Sequence, residues 1–135
     1  MKTKNDKYEF TGETRNCCGR VVKRIKALKT FGNVFKGEIG GFIESENNLS
    51  VYGKAWVYDN ASVSGDASVS DNASVSGDAS VSDNASVSGD ASVYGNASVS
   101  GDASVSDDAT VSGNASVYGN ASVSGKAWAS GNASV

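Results

Sequence analysis

Three residue types in this chain could carry chemistry: a cysteine pair, a run of regularly spaced aspartates, and ranks of serine. Each needs partners, and the commonest partner is missing, because the 135 residues include no histidine. There is then no imidazole base, no His–Cys or Ser-His-Asp nucleophile, and no histidine metal ligand. Cys17 and Cys18 are the chain's 2 cysteines and are adjacent. They make no disulfide framework, and two thiols alone leave a zinc site incomplete. They read as a turn carrying two reduced thiols. The aspartates fall in Gly-Asp, Asp-Asn and Asp-Asp pairs. Regular carboxylates along a rod could imitate a phosphate backbone or hold Ca²⁺ weakly through oxygen ligands. Their plainer use is to form corners and keep a Ser/Ala/Val chain soluble, and Asn fills many of the same slots.

The elements that position these groups are set by a period of six. Valine recurs every six residues from Val51 to Val123, Ala129 takes the next place, and Val135 closes the series. Alanine stands four residues after each valine from Val51 to Val123, hence two before the next position of the series. Alternation puts Ala and Val on one face and the serines on the other. The Gly-Asp, Asp-Asn or Gly-Asn pair then turns the chain, since these residues tolerate positive φ. One unit is a short strand plus a corner, and its single Val and Ala bury far too little to fold alone. Stacked units build a continuous core and satisfy the backbone through parallel ladders. The register extends upstream. Ile39-Gly-Gly-Phe-Ile43-Glu and Ser45-Glu-Asn-Asn-Leu49-Ser are in phase with Val51, with Ile43 and Leu49 in the small-residue slot.

This pattern resembles the hexapeptide-repeat left-handed β-helix, in which three units make a triangular coil of 18 residues. The segment from Val34 to Ser50, with GKAWVYDNASV after it, is similar to uncharacterised β-solenoid proteins common in phages and prophages, often labelled transferases by analogy of fold. The resemblance implies an all-β fold, a left-handed parallel β-helix with an N-terminal β-hairpin cap. Acyltransferases of that family use a catalytic histidine and related zinc enzymes use histidine ligands. Neither is present, and no long loops build a pocket. The expectation is a protein that is not an enzyme, with no cofactor, no metal and no small-molecule substrate.

An 18-residue coil places residues 18 apart in one column. One outward column reads Trp56, Ser74, Ser92, Thr110, Trp128, and Tyr58 and Tyr94 share the column beside it. Trp56, Tyr58, Tyr94, Thr110 and Trp128 are the candidate partner-binding face, because exposed Trp and Tyr are frequent anchors. One corner gathers Asp71, Asp90, Asp107 and Asp108 between Lys54 and Lys126, the candidate acidic corner. The outward ranks are Ser, with Thr110 alone as Thr, so ice binding through flat Thr ranks is a weaker reading.

Charge divides the chain in two. Residues 1–50 hold 10 Lys+Arg against 6 Asp+Glu, a net of +4, and residues 51–135 hold 2 against 9, a net of -7, which together give -3. Residues 1–38 are read as a basic β-hairpin cap, with strands over Lys7–Thr11 and Arg20–Leu28, and residues 39–135 as the solenoid. The first ten residues are charged, and no apolar run approaches the ~18 residues of a membrane span. The expectation is a soluble protein of the bacterial host cytoplasm. It would bind a host protein, such as a nucleic-acid-handling defence complex of the kind an anti-CRISPR protein inhibits. The rival is a structural solenoid that stacks or serves as a spacer. Lys126, Trp128, Ala129, Ala133 and Val135 mark a C-terminal end expected to pair tail to tail as a homodimer.

Overall fold

The structure, a computed structural model, describes residues 7–17, 20–32, 34–50, 53–126 and 128–131. Ala133, Val135, Val51, Tyr52 and the two thiols lie outside what it describes. The chain opens with antiparallel strands β1 (Tyr8–Cys17) and β2 (Arg20–Ala27), followed by β3 (Ile39–Ile43) and a 3-10 turn at Glu46–Asn48. Thirteen two-residue strands follow, from β4 (Trp56–Val57) to β16 (Trp128–Ala129), one in every six-residue unit.

Each short strand pairs in parallel with the strand three units away. Ser62 stands on Ser80, Ser74 on Ser92 and Ser86 on Ser104, each an offset of 18 residues. Three sheets result, in the orders β1-β2-β3-β5-β8-β11-β14, β16-β13-β10-β7-β4 and β15-β12-β9-β6. The molecule is a β-solenoid of about five turns. The expected inside and outside hold: every repeat valine from Val57 to Val117 and every alanine from Ala55 to Ala115 is buried. Outward serines such as Ser86 and Ser98 stay partly or fully exposed.

The first turn departs from the expected phase. Ile43 pairs with Val63, and Leu49 with Val69, offsets of 20 rather than 18. Ile43 and Leu49 therefore occupy valine slots, not the small-residue slots expected for them. The reason is volume: the small slot holds Ala throughout the rest of the rod, and Gly41 stands there in the first turn, where a Cβ would come within 2.6 Å of Ala61 O. The two extra residues fall between Ser50, whose N–H reaches Val69 O, and Lys54, whose N–H reaches Asp71 O.

The hairpin extends one face of the solenoid and closes its core. β2 pairs antiparallel with β3, which pairs parallel with β5. Tyr8, Ile25, Ala27 and Val34 join one buried cluster with Leu49, Trp56 and the Val/Ala columns.

Candidate partner-binding face

Corner geometry sorts the aspartates into two groups. The first residue of each corner has a positive φ. It is Gly or Asp, with Asp59, Asp71, Asp83 and Asp107 at φ 56 to 62. Asp tolerates this region because its short carboxylate can bond locally, and here it bonds to the next coil. Asp71 Oδ2 accepts the Gly89 N–H at 3.1 Å, Asp83 Oδ2 the Gly101 N–H at 3.1 Å, and Asp107 Oδ2 the Gly125 N–H at 3.3 Å. Asp71 and Asp107 are thus corner residues that also tie neighbouring turns together.

Asp90 and Asp108 sit in the second corner position, are exposed, and make no such bond among the described residues. Elsewhere in that position no carboxylate stands over another: the columns read Asp66, Asn84, Asp102 and Asn60, Asp78, Asn96. Asp90 and Asp108 are 18 residues apart, so they stack ~4.8 Å apart with like charge. Asp107 adds a third carboxylate beside them. This acidic corner leads into β10 (Ser92–Val93), which Tyr94 follows directly, and β13 (Thr110–Val111), which contains Thr110. The aromatic face and the acidic corner, separate in the sequence reading, are one continuous surface.

On that surface the register places Trp56, Ser74, Ser92, Thr110 and Trp128 in one column. Trp128 is 69% exposed, Tyr94 40% exposed, and Thr110 half-buried. Trp56 does not belong to it. The indole is completely buried, edge-on to Phe31 at 5.4 Å and Tyr8 at 6.3 Å between ring centroids. Phe31 and Gly40, from the segment between β2 and β3, lie against it. The sequence signal was Gly40: a Cβ there would lie 2.7 Å from the Trp56 ring, so the glycine makes room for the indole. The Trp56 Nε1–H has no hydrogen-bond partner among the described residues. Tyr58 is half-buried against the core, and burial, with the Glu38 charge, raises its hydroxyl pKa. Tyr118, 54% exposed, lies after β14 (Ser116–Val117) at the edge of another sheet. At the far end Lys126 is exposed and Ala129 buried.

Much of the head's positive charge is engaged within the molecule. The Arg15 and Arg24 guanidinium groups lie 4.2 and 4.3 Å from the Phe42 ring centre. Arg24 also bonds Gly40 O, Asp59 O, Asn60 Oδ1 and Glu13. Arg20 pairs with Glu44 at 3.1 Å. Glu44 Oε1 accepts the Gly65 N–H at 2.7 Å, and that bond, ahead of Arg20, holds its carboxyl below the usual range against the opposing effect of burial. Asn48, buried, accepts the Glu44 and Ser45 N–H groups and donates to Gly65 and Ala67 carbonyls. Sequence reading missed both residues, since a degraded hexapeptide gives no sign of which polar side chain turns inward.

A shallow groove lies between Phe10, Lys23 and Ser45–Asn47. Among the described residues no group of three acids or thiols is placed to hold a metal, and no helix is long and apolar enough to cross a membrane. No protein-family model matches the chain, and a search of curated proteins finds no match.

Proposed function

We propose that this chain is a non-enzymatic binding protein that engages another protein through the outer half of its five-stranded face and the acidic corner beside it. The observation that carries the reading is the juxtaposition of the stacked Asp90 and Asp108 with the exposed Tyr94 and Trp128. Natural repeats depart from local rules where function requires it, and this corner departs from the Asp/Asn alternation kept elsewhere. A fixed aromatic beside an unpaired carboxylate suits a partner surface that is both apolar and basic. A host protein that handles nucleic acid has such a surface. With the resemblance to phage-type solenoids, this favours an inhibitor of a host defence complex, of the anti-CRISPR kind, acting in the host cytoplasm.

The test is capture from host lysate by the tagged chain, with identification of the retained protein by mass spectrometry. Asp90→Asn with Asp108→Asn, and separately Trp128→Ser, should lose that protein while the thermal melt is preserved. Retention of the same protein by both variants would refute the face. A structural solenoid is the second reading, favoured by the uniform serine faces. It predicts assembly in solution with no partner retained.

A further inference from the structure

The corner column beside the five-stranded face carries a fixed order of charge along the rod. Residues 18 apart stand in register, so the column reads Lys54, Asn72, Asp90, Asp108, Lys126 from the head outward. Lys126 and both aspartates are exposed, and none of the three makes an ion pair among the described residues. Over the outer coils the order is acid, acid, base, at steps of ~4.8 Å. The opposite corner of the face is uncharged at that height, with Gly95-Asn96 and Gly113-Asn114, while Asp59 and Asp78 lie nearer the head. Between the corners stand the aromatic groups. Trp128 is in register over Thr110, which is over Ser92, and Tyr94 follows Val93. Trp128 is thus two strand spacings beyond Tyr94, ~9.6 Å along the rod and ~6.7 Å across it. Charge occupies one flank of this footprint and aromatic surface the remainder.

We infer that the partner meets this surface with an amphipathic α-helix laid along the rod, bearing two cations and then an anion on one flank and apolar side chains beside them. This rests on the proposed function and names the element of the partner that the face receives. Spacing decides the element. On a helix, residues i, i+3 and i+7 follow one flank with rises of ~4.5 and ~10.5 Å from the first. The column asks for ~4.8 and ~9.6 Å, so each charge is met within about 1 Å. An extended segment running the same way repeats its side chains on one side every ~6.7 Å, and misses the second and third charges by ~2 and ~4 Å. Strand addition is closed to it as well, because β7, β10 and β13 are paired on both sides. Lys126 sets the order of charge: Arg or Lys at i and i+3 faces Asp90 and Asp108, and Glu or Asp at i+7 faces Lys126. A helix ~10 Å across then lays its adjoining apolar stripe over the ~13 Å between the corner and Tyr94, with Trp128 beneath its end.

The test is fluorescence anisotropy of a labelled synthetic helical peptide with Arg at i and i+3, Glu at i+7 and Leu on the adjoining stripe, titrated with the full chain. A second peptide of the same composition has its Arg residues at i and i+2, on opposite sides of the helix. The first should bind at least tenfold more tightly than the second. Asp90→Asn with Asp108→Asn should weaken it roughly 2- to 30-fold, the range for two exposed ion pairs. Lys126→Glu should also weaken it, and a third peptide with Arg at i+7 should recover the loss on that variant and not on the wild type. Equal binding of the first two peptides would overturn the inference, since charge alone would then suffice. So would failure of the first peptide to bind at millimolar chain, or indifference to Lys126→Glu. A lysate protein still captured through Asp90, Asp108 and Trp128 would in those cases leave the proposed function standing, with a partner that is not helical at this face.

Discussion

Replacing Asp71 and Asp90 separately by alanine should give very different losses of stability, although both are exposed aspartates of the same corner. At Asp71, φ is 60° and the carboxylate holds the Gly89 N–H at 3.1 Å. Alanine there loses the bond, worth about 0.5–1.5 kcal/mol at an exposed site. It also keeps a Cβ in the left-handed region without the local bond that offsets it, which costs roughly 1–2 kcal/mol. The sum is about 1.5–3.5 kcal/mol. Asp71→Asn retains an acceptor and the tolerance of positive φ, so it should cost well under 1 kcal/mol. At Asp90 neither effect operates: φ is ordinary and the carboxylate bonds nothing among the described residues. Asp90→Ala should fall within about ±0.5 kcal/mol, and relief of the Asp108 repulsion could make it stabilising. Urea denaturation followed by circular dichroism measures all three, with the slope checked for constancy because solenoids can unfold in stages. Equal losses for Asp71→Ala and Asp90→Ala would show that the two corner positions are not distinct.

Val87 is fully buried mid-rod, so Val87→Ala should cost about 1–3 kcal/mol through lost burial and a cavity, and Val87→Asp more. Ser86→Ala on the outward side should be near neutral, and thermal melts compare the three. Lys7 is buried, its Nζ donating to Ser50 O at 2.8 Å and lying 4.8 Å from the Phe31 ring centre; burial, with the Lys29 charge, lowers its pKa to about 8. Between about pH 8 and 10.5 the unfolded chain then holds the extra proton, so stability should rise with pH across that window. Lys7→Met should flatten the rise in urea midpoints measured at pH 7.5 and 9.5. Above pH 10 the trend should reverse, because burial raises the Tyr8 pKa and the folded state keeps a proton the unfolded chain releases. Trp56→Phe removes the buried N–H that lacks an acceptor. It should cost less than the roughly 3–5 kcal/mol of a Trp→Ala truncation, as read by the same melts.

The rod was legible because its information is local and repeated. Val and Ala at fixed spacing dictate an inner face, and a positive-φ pair dictates a corner. The 18-residue column followed from the resemblance, and the pairing of Ser74 with Ser92 bears it out. The first turn was illegible for the opposite reason. Its register depends on whether Ile43 and Leu49 fit a small slot, which is a question of volume in three dimensions. Trp56 misled in the same way. Its column was right, but its exposure depended on a segment 20 residues upstream that carries no periodicity. The division of the aspartates was legible in part: Asp71 stands two residues after Val69, in the slot other units fill with Gly, and Asp90 one slot later, but the bond from Asp71 to the next coil depends on the corner's geometry.

Because units are nearly interchangeable, the fold and the face can be separated by deletion. Removing residues 109–114 takes out one complete unit, Ala-Thr-Val-Ser-Gly-Asn. Every later Val and Ala still points inward, since the shift equals the period. Each corner in the new columns keeps a glycine under its neighbour: Gly119 comes under Gly95, Gly125 under Gly101 and Gly131 under Asp107, so no two positive-φ aspartates stack. The ladder and core are therefore retained, and the loss should be that of one unit from a nearest-neighbour array, without collapse. The decoration does not survive in place. Trp128 moves by one strand, onto the sheet of β6 (Ser68–Val69), β9 (Ser86–Val87) and β12 (Ser104–Val105), away from Tyr94 and the Asp90–Asp108 corner. A cooperative melt with partner capture lost is the expected result. Removing residues 109–126 instead, a full turn, returns Trp128 to the five-stranded face one coil nearer the head, and should recover part of the capture. If the six-residue deletion binds as well as the wild type, recognition does not use the alignment of Trp128 with the acidic corner.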